Sequence, residues 1–140
     1  ADINALKNQA LALNREVGVF ALTYVVCRPT QKEAEEFHEY YARENADWEA
    51  VDRVIELMFA NAESFPKEMI KLIRDRMAGG HGGMPLVGTP DMVVTELEKL
   101  YEIGCAGATL SFVDFAEEFP YFRDEVLPRL EEKGLREPKL

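Results

Sequence analysis

Disulfide and metal chemistry have little to draw on in this sequence, which holds two cysteines, two histidines and one tryptophan in 140 residues. Cys27 and Cys105 stand far apart, and His38 and His81 lack the short spacing of helix-borne metal ligands, so no metal site is expected. The thiols are expected to be free and buried, because Ala1-Asp2-Ile3-Asn4 opens neither a basic nor an apolar leader. No apolar run approaches the roughly 18 residues that a membrane helix needs. Cationic surface is also short: 16 Lys and Arg face 26 Asp and Glu, a formal net charge of -10. That balance argues against a nucleic-acid partner, whose phosphates draw on clustered Lys and Arg. No internal repeat or low-complexity tract is visible. A cytoplasmic protein with one core is expected.

What the sequence does offer centres on Met84-Pro85-Leu86-Val87-Gly88-Thr89-Pro90-Asp91. Thr89 suits a helix N-cap and Pro90 the first helical position, where its missing N–H is no loss. Val93, Leu97 and Leu100 then recur on one face until Gly104 offers a left-handed stop. The apolar stretch Ala106 to Phe112 follows as a strand. Earlier, Val17 to Val26 is almost continuously apolar or β-branched, as in a parallel strand covered on both faces.

Between these strands the signals are helical. Thr30-Gln31-Lys32-Glu33 spells a capping box, and Ala34, Phe37, His38 and Tyr41 share one side of the helix behind it. Asp47 precedes a stripe of Trp48, Val51, Ile55 and Met58. Ser64 is expected to cap a third helix with Pro66 in its first turn and Gly79-Gly80 at its end. At the chain's start, Asp2 caps a stripe of Ile3, Leu6, Ala10 and Leu13; towards its end, Phe119, Phe122, Val126, Leu127 and Leu130 form a last amphipathic helix that Pro128 bends. Three helices between two strands exceed an ordinary crossover and read as an insertion that shapes a site.

Three motifs, in order, carry a family resemblance: the strand ending Cys27-Arg28-Pro29-Thr30 with Glu33-Ala34, the Pro85-Leu86-Val87-Gly88-Thr89-Pro90 turn, and Asp124-Glu125-Val126-Leu127-Pro128. Together they resemble the C-terminal part of the bacterial luciferase-like flavin-dependent monooxygenases. The resemblance implies an α/β fold, the C-terminal portion of a (β/α)8 TIM barrel, as a single partial-barrel domain over residues 1–140. Its parts would be the last two barrel strands, running parallel, a helical insertion over 44–84 and a closing helix, with about five or six helices in all. It further implies reduced FMN, delivered by a separate flavin reductase, and dioxygen as the oxidant of a small organic substrate. A deazaflavin remains the alternative cofactor. The family's main phosphate loop would precede Ala1, so FMN binding by these residues alone is expected to be weak.

The barrel places chemistry at the C-terminal strand ends, near Tyr24 to Cys27 and Ser111 to Asp114. Tyr24 matches a position where some family members carry an inward-pointing histidine, and its hydroxyl is the candidate donor to a substrate oxygen. His81, between two pairs of glycines, is the second candidate, a loop residue that reaches the site on closure. Against these stand a merely hydrogen-bonded core tyrosine and a solvent-facing loop histidine. His38 reads as a packed histidine, and the surrounding glycines as a source of flexibility. Residues Val17 to Val26 and Ala108 to Val113 can pair only with each other, which leaves edges for a second copy to cover; a homo-oligomer is expected. The alternative function is a non-catalytic, self-associating binding or assembly protein derived from the same fold.

Overall fold

The computed structural model describes residues 2–60 and 66–138. Local chemistry sets the helix starts. Asp2 accepts the Asn4 and Ala5 amides at the head of α1 (Ile3–Ala12). The Thr30–Glu33 capping box opens α2 (Gln31–Glu39), which runs into a π-helical turn at Tyr40–Glu44. Asp47 caps α3 (Trp48–Phe59) through the Ala50 amide at 2.9 Å. Helix α4 (Lys67–Gly80) begins behind Pro66, whose ψ of 139° puts it outside the helix. The proline therefore holds the N-cap position instead of lying in the first turn, and the expected cap Ser64 lies outside the described residues. Thr89 caps α5 (Pro90–Glu102) through the Met92 amide, with Pro90 in the first turn; Gly104, at φ 97°, supplies the stop.

The last helix is divided. Asp114 accepts the Ala116 and Glu117 amides and starts α6 (Phe115–Glu125) four residues earlier than its apolar stripe suggests. After Val126, α7 (Leu127–Glu132) takes over, with Pro128 in its first turn. A proline there cannot donate to the preceding turn, so the break falls where the sequence placed a bend.

The sheet has three parallel strands: β1 (Phe20–Cys27), β2 (Met84–Gly88) and β3 (Gly107–Ser111), in the order β2-β1-β3. Two strands were expected, paired only with each other. The structure corrects this: the Met84–Gly88 segment, read as a turn, pairs with β1 from Thr23↔Met84 to Cys27↔Gly88. Pro85 lacks an N–H and is tolerated because β2 is an edge strand.

Alternation along β1 separates two faces. On one, Val25 and Cys27, with Leu86 from β2, pack against Val93 and Val94 of α5, Phe122 of α6, and Val126 and Leu130. On the other, Tyr24 is 3% exposed beneath α2 and α4, while Phe20 and Leu22 are 63% and 53% exposed. The expectation of a strand covered on both faces therefore holds only for the C-terminal half of β1, since Phe20 and Leu22 stay open to water. Helix α1 is tied on by Lys7 Nζ, which donates to the Gly104 carbonyl at 2.6 Å, and none of its residues is buried.

Candidate functional site

Parallel strands present their C-terminal ends together, and here those ends bring Tyr24, Ser111 and the last turn of α4 into one place. A cavity of about 380 Å³ is lined by Tyr24, Tyr41, Gly79, Gly80, His81 and Ser111, among others. The two candidate residues, Tyr24 and His81, thus line the same cavity. Tyr24 is buried; His81 is exposed, and its φ of 56° makes it the left-handed cap that ends α4.

The glycines before His81 have a different use from the flexibility read in the sequence. Gly79 and Gly80 belong to α4, and a Cβ on Gly80 would lie 2.3 Å from Tyr24 Cγ and 2.4 Å from its Cβ. Their missing side chains let the helix end lie directly on the tyrosine ring. Tyr41 fixes the same turn by donating its hydroxyl to the Gly79 carbonyl at 2.9 Å.

The partner of Tyr24 is His38, with 2.9 Å between Oη and Nε2 and ring centroids 5.7 Å apart. Burial raises the Tyr24 pKa, an effect only partly opposed by the nearby Arg76 and Arg43 charges. Burial also lowers the His38 pKa, with help from Arg43. At neutral pH the phenol is therefore protonated and the imidazole neutral, so Tyr24 donates to Nε2 and the ring proton sits on Nδ1. His38, read in the sequence as a packed histidine, is packed against Tyr24. Its placement beside Tyr41 on the buried side of α2 was legible, but its contact with a strand residue was not.

Burial pushes the Cys27 thiol up to about 12, which leaves it protonated and unreactive. Both cysteines are buried and free, as expected. No group of three metal-ligating side chains occurs among the described residues, and no described helix is long and apolar enough to cross a membrane.

The lowered His38 pKa has a consequence for stability. The folded state disfavours the imidazolium, so the neutral ring's contribution is complete above the unfolded pKa near 6.5 and declines as pH falls from there towards the folded pKa. Urea unfolding of the wild type and of His38→Gln is expected to show a stability difference that narrows as pH is lowered through this window. A difference independent of pH would contradict the buried neutral imidazole.

Parallel strands with helices packed on them, and a cavity at the strands' C-terminal ends, make up a partial (β/α)8 barrel. Solved structures that share this fold with the chain include DmoA, RcaE and LadA. DmoA from Hyphomicrobium sulfonivorans matches with a TM-score of 0.75 at 23% identity, covering 94% of this chain and 34% of its own. Riboflavin lyase RcaE, solved with modified FMN and riboflavin, gives 0.72 at 20%, covering 94% and 35%. The long-chain alkane monooxygenase LadA gives 0.68 at 22%, covering 97% and 34%. The chain thus spans about a third of the length of each. No protein-family model and no curated protein matches the sequence.

Proposed function

We propose that this chain contributes strand ends to the active site of a flavin-dependent monooxygenase that uses reduced FMN and dioxygen to oxidise a small organic substrate. One observation carries the reading: a buried, protonated Tyr24 hydroxyl stands in the C-terminal half of a parallel strand, beside the end of β3, in a cavity that two glycines help to line. On this reading residues 1–140 form one partial-barrel domain, and the segment 44–84 is the insertion that brings α4 over the site.

The residues fit the flat, uncharged part of a flavin. Gly79 and Gly80 carry no side chain into the cavity, Phe112 and Met77 are apolar, and Ser111 offers a hydroxyl. Among the described residues no Lys or Arg lines this cavity, so the phosphate end would be held elsewhere. FMN, when bound, supplies the electrons with which dioxygen is activated. The chain's own task is to exclude water and to place a donor. Tyr24 can turn its O–H from His38 to a substrate oxygen, and neutral His38 can accept or return a proton through that hydroxyl. His81, on the rim, is proposed to close over the substrate. A separate reductase is the proposed source of reduced FMN.

The test is isotopic. A closed barrel containing these residues, supplied with reduced FMN, ¹⁸O₂ and a panel of small organic substrates, is expected to place label in the product. Tyr24→Phe is expected to lower kcat about a hundredfold, within the range of a lost acid–base group. Label-free product, or a Tyr24→Phe variant of unchanged kcat, would contradict the proposal.

A second reading is favoured by Phe20 and Leu22, whose exposure leaves half of one sheet face in water. In it the chain is a self-associating, non-catalytic protein whose second copy covers that face. Light scattering separates the two: a dimer without flavin affinity supports this reading, and a monomer of 15.9 kDa excludes it.

A further inference from the structure

A smaller cavity, of about 210 Å³, shares Tyr24 with the strand-end cavity. Tyr24, His38, Arg43, Trp48, Asp75 and Arg76 contribute to its lining. Its two arginines differ. Arg43 is exposed and pairs with Glu39 at 3.3 Å, one helical turn away. Arg76 forms no side-chain hydrogen bond or ion pair among the described residues, and its Nε is buried without an acceptor. The neighbouring Arg74 is fully occupied, bonded to Asp52 and stacked 4.1 Å over Trp48.

A buried guanidinium N–H without an acceptor is costly, and native structures leave few such groups. Arg76 also presents a fork suited to the paired oxygens of an oxyanion. We propose that this cavity binds one oxyanion group, carboxylate, sulfonate or phosphate, with Arg76 as its principal donor and Arg43 as a second cation. Asp75 shares the lining but is exposed, so water screens its charge. The charges felt at Tyr24 agree: Arg76 and Arg43 each act more strongly there than Asp75. The whole chain carries -10, so general attraction cannot draw an anion to it and binding must come from these local donors. The site stands independently of the flavin reading.

Trp48 is the chain's one tryptophan and lines the cavity, so its fluorescence is a local reporter. The protein is titrated with sodium sulfate, phosphate or acetate at constant ionic strength, with chloride as the balance. A saturable change with at least one oxyanion is expected. Sulfate or phosphate without acetate assigns a tetrahedral head group, and acetate alone assigns a carboxylate. Arg76→Met is expected to weaken binding tenfold or more and Arg76→Lys less, while the remote, exposed Arg123→Gln leaves it unchanged. No saturation by any oxyanion would overturn the proposal, since water alone would then satisfy Nε; so would unchanged affinity in Arg76→Met. Should Arg76→Met fail to fold, the Arg76 Nε–H resonance of the wild type decides the matter. A shift on adding the bound oxyanion supports the site, and no shift overturns it.

Discussion

Replacing Gly80 with alanine is expected to destabilise the fold by about 3 kcal/mol, at the upper end of the usual cost of overpacking. The new Cβ would lie 2.3 to 2.5 Å from Tyr24 Cγ, Cβ and Cδ1. These atoms sit close to the β1 backbone and cannot swing away, so either α4 or the strand must move. Alanine's better helix propensity returns about 1 kcal/mol at most, and the clash wins. Gly79→Ala is the informative contrast. Its Cβ would meet Tyr24 Oη at 2.4 Å and His38 Nε2 at 3.2 Å, the far ends of two side chains. There the rings can give way, so the Tyr24–His38 bond is lost at a smaller cost in stability. Urea unfolding of both variants checks the order, and a Gly80→Ala protein as stable as Gly79→Ala would show that α4 does not rest on the ring.

The second large effect is expected at Arg28. This residue follows β1 and ties three parts of the fold together. It donates to Glu118 Oε1 of α6 at 2.8 Å, donates to the Cys27 carbonyl at 2.9 Å, and stacks 4.2 Å over Phe37 of α2. Glu118 is 8% exposed, and its other oxygen accepts the Asp114 amide. Arg28→Ala would leave that carboxylate buried without its cation, at a cost of about 3 kcal/mol. Arg28→Lys is expected to recover only part, because an ammonium can neither fork nor stack as the guanidinium does. The double variant Arg28→Met/Glu118→Leu is expected to regain much of the loss, since no charge is then stranded. Unfolding midpoints for the three variants decide this. A single variant within about 0.5 kcal/mol of wild type would place the pair among ordinary surface contacts.

The comparison of sequence with structure follows the range of the interactions involved. Thr30, Asp47 and Thr89 act on amides three residues away, so the sequence carries the whole device and the helix starts were legible. The β2 strand was not, because Met84–Gly88 is short, contains Pro85 and ends at a glycine, all of which are turn signals. It is a strand because β1 offers it an edge, which no local pattern records. The same holds for the site. Tyr24 stood out on its strand, but its bond to His38 depends on how α2 lies on the sheet. The glycines at 79 and 80 were read as freedom of the backbone, whereas the structure uses the absence of their side chains. Paired glycines in the last turn of an amphipathic helix were the available signal of a close approach. Phe20 and Leu22 read as core, and their exposure reflects a partial barrel whose inner face this chain does not itself fill.

The central claim is that a flavin meets this chain at the C-terminal ends of β1 and β3, beneath the last turn of α4. Hydrogen–deuterium exchange of a closed barrel containing these residues, with and without saturating FMN, tests it most directly. The account predicts slowed exchange at Tyr24 to Cys27, Gly79 to Gly83 and Ser111 to Val113, the segments that meet at the strand ends. Protection that leaves these three segments unchanged and falls elsewhere in the barrel would contradict it.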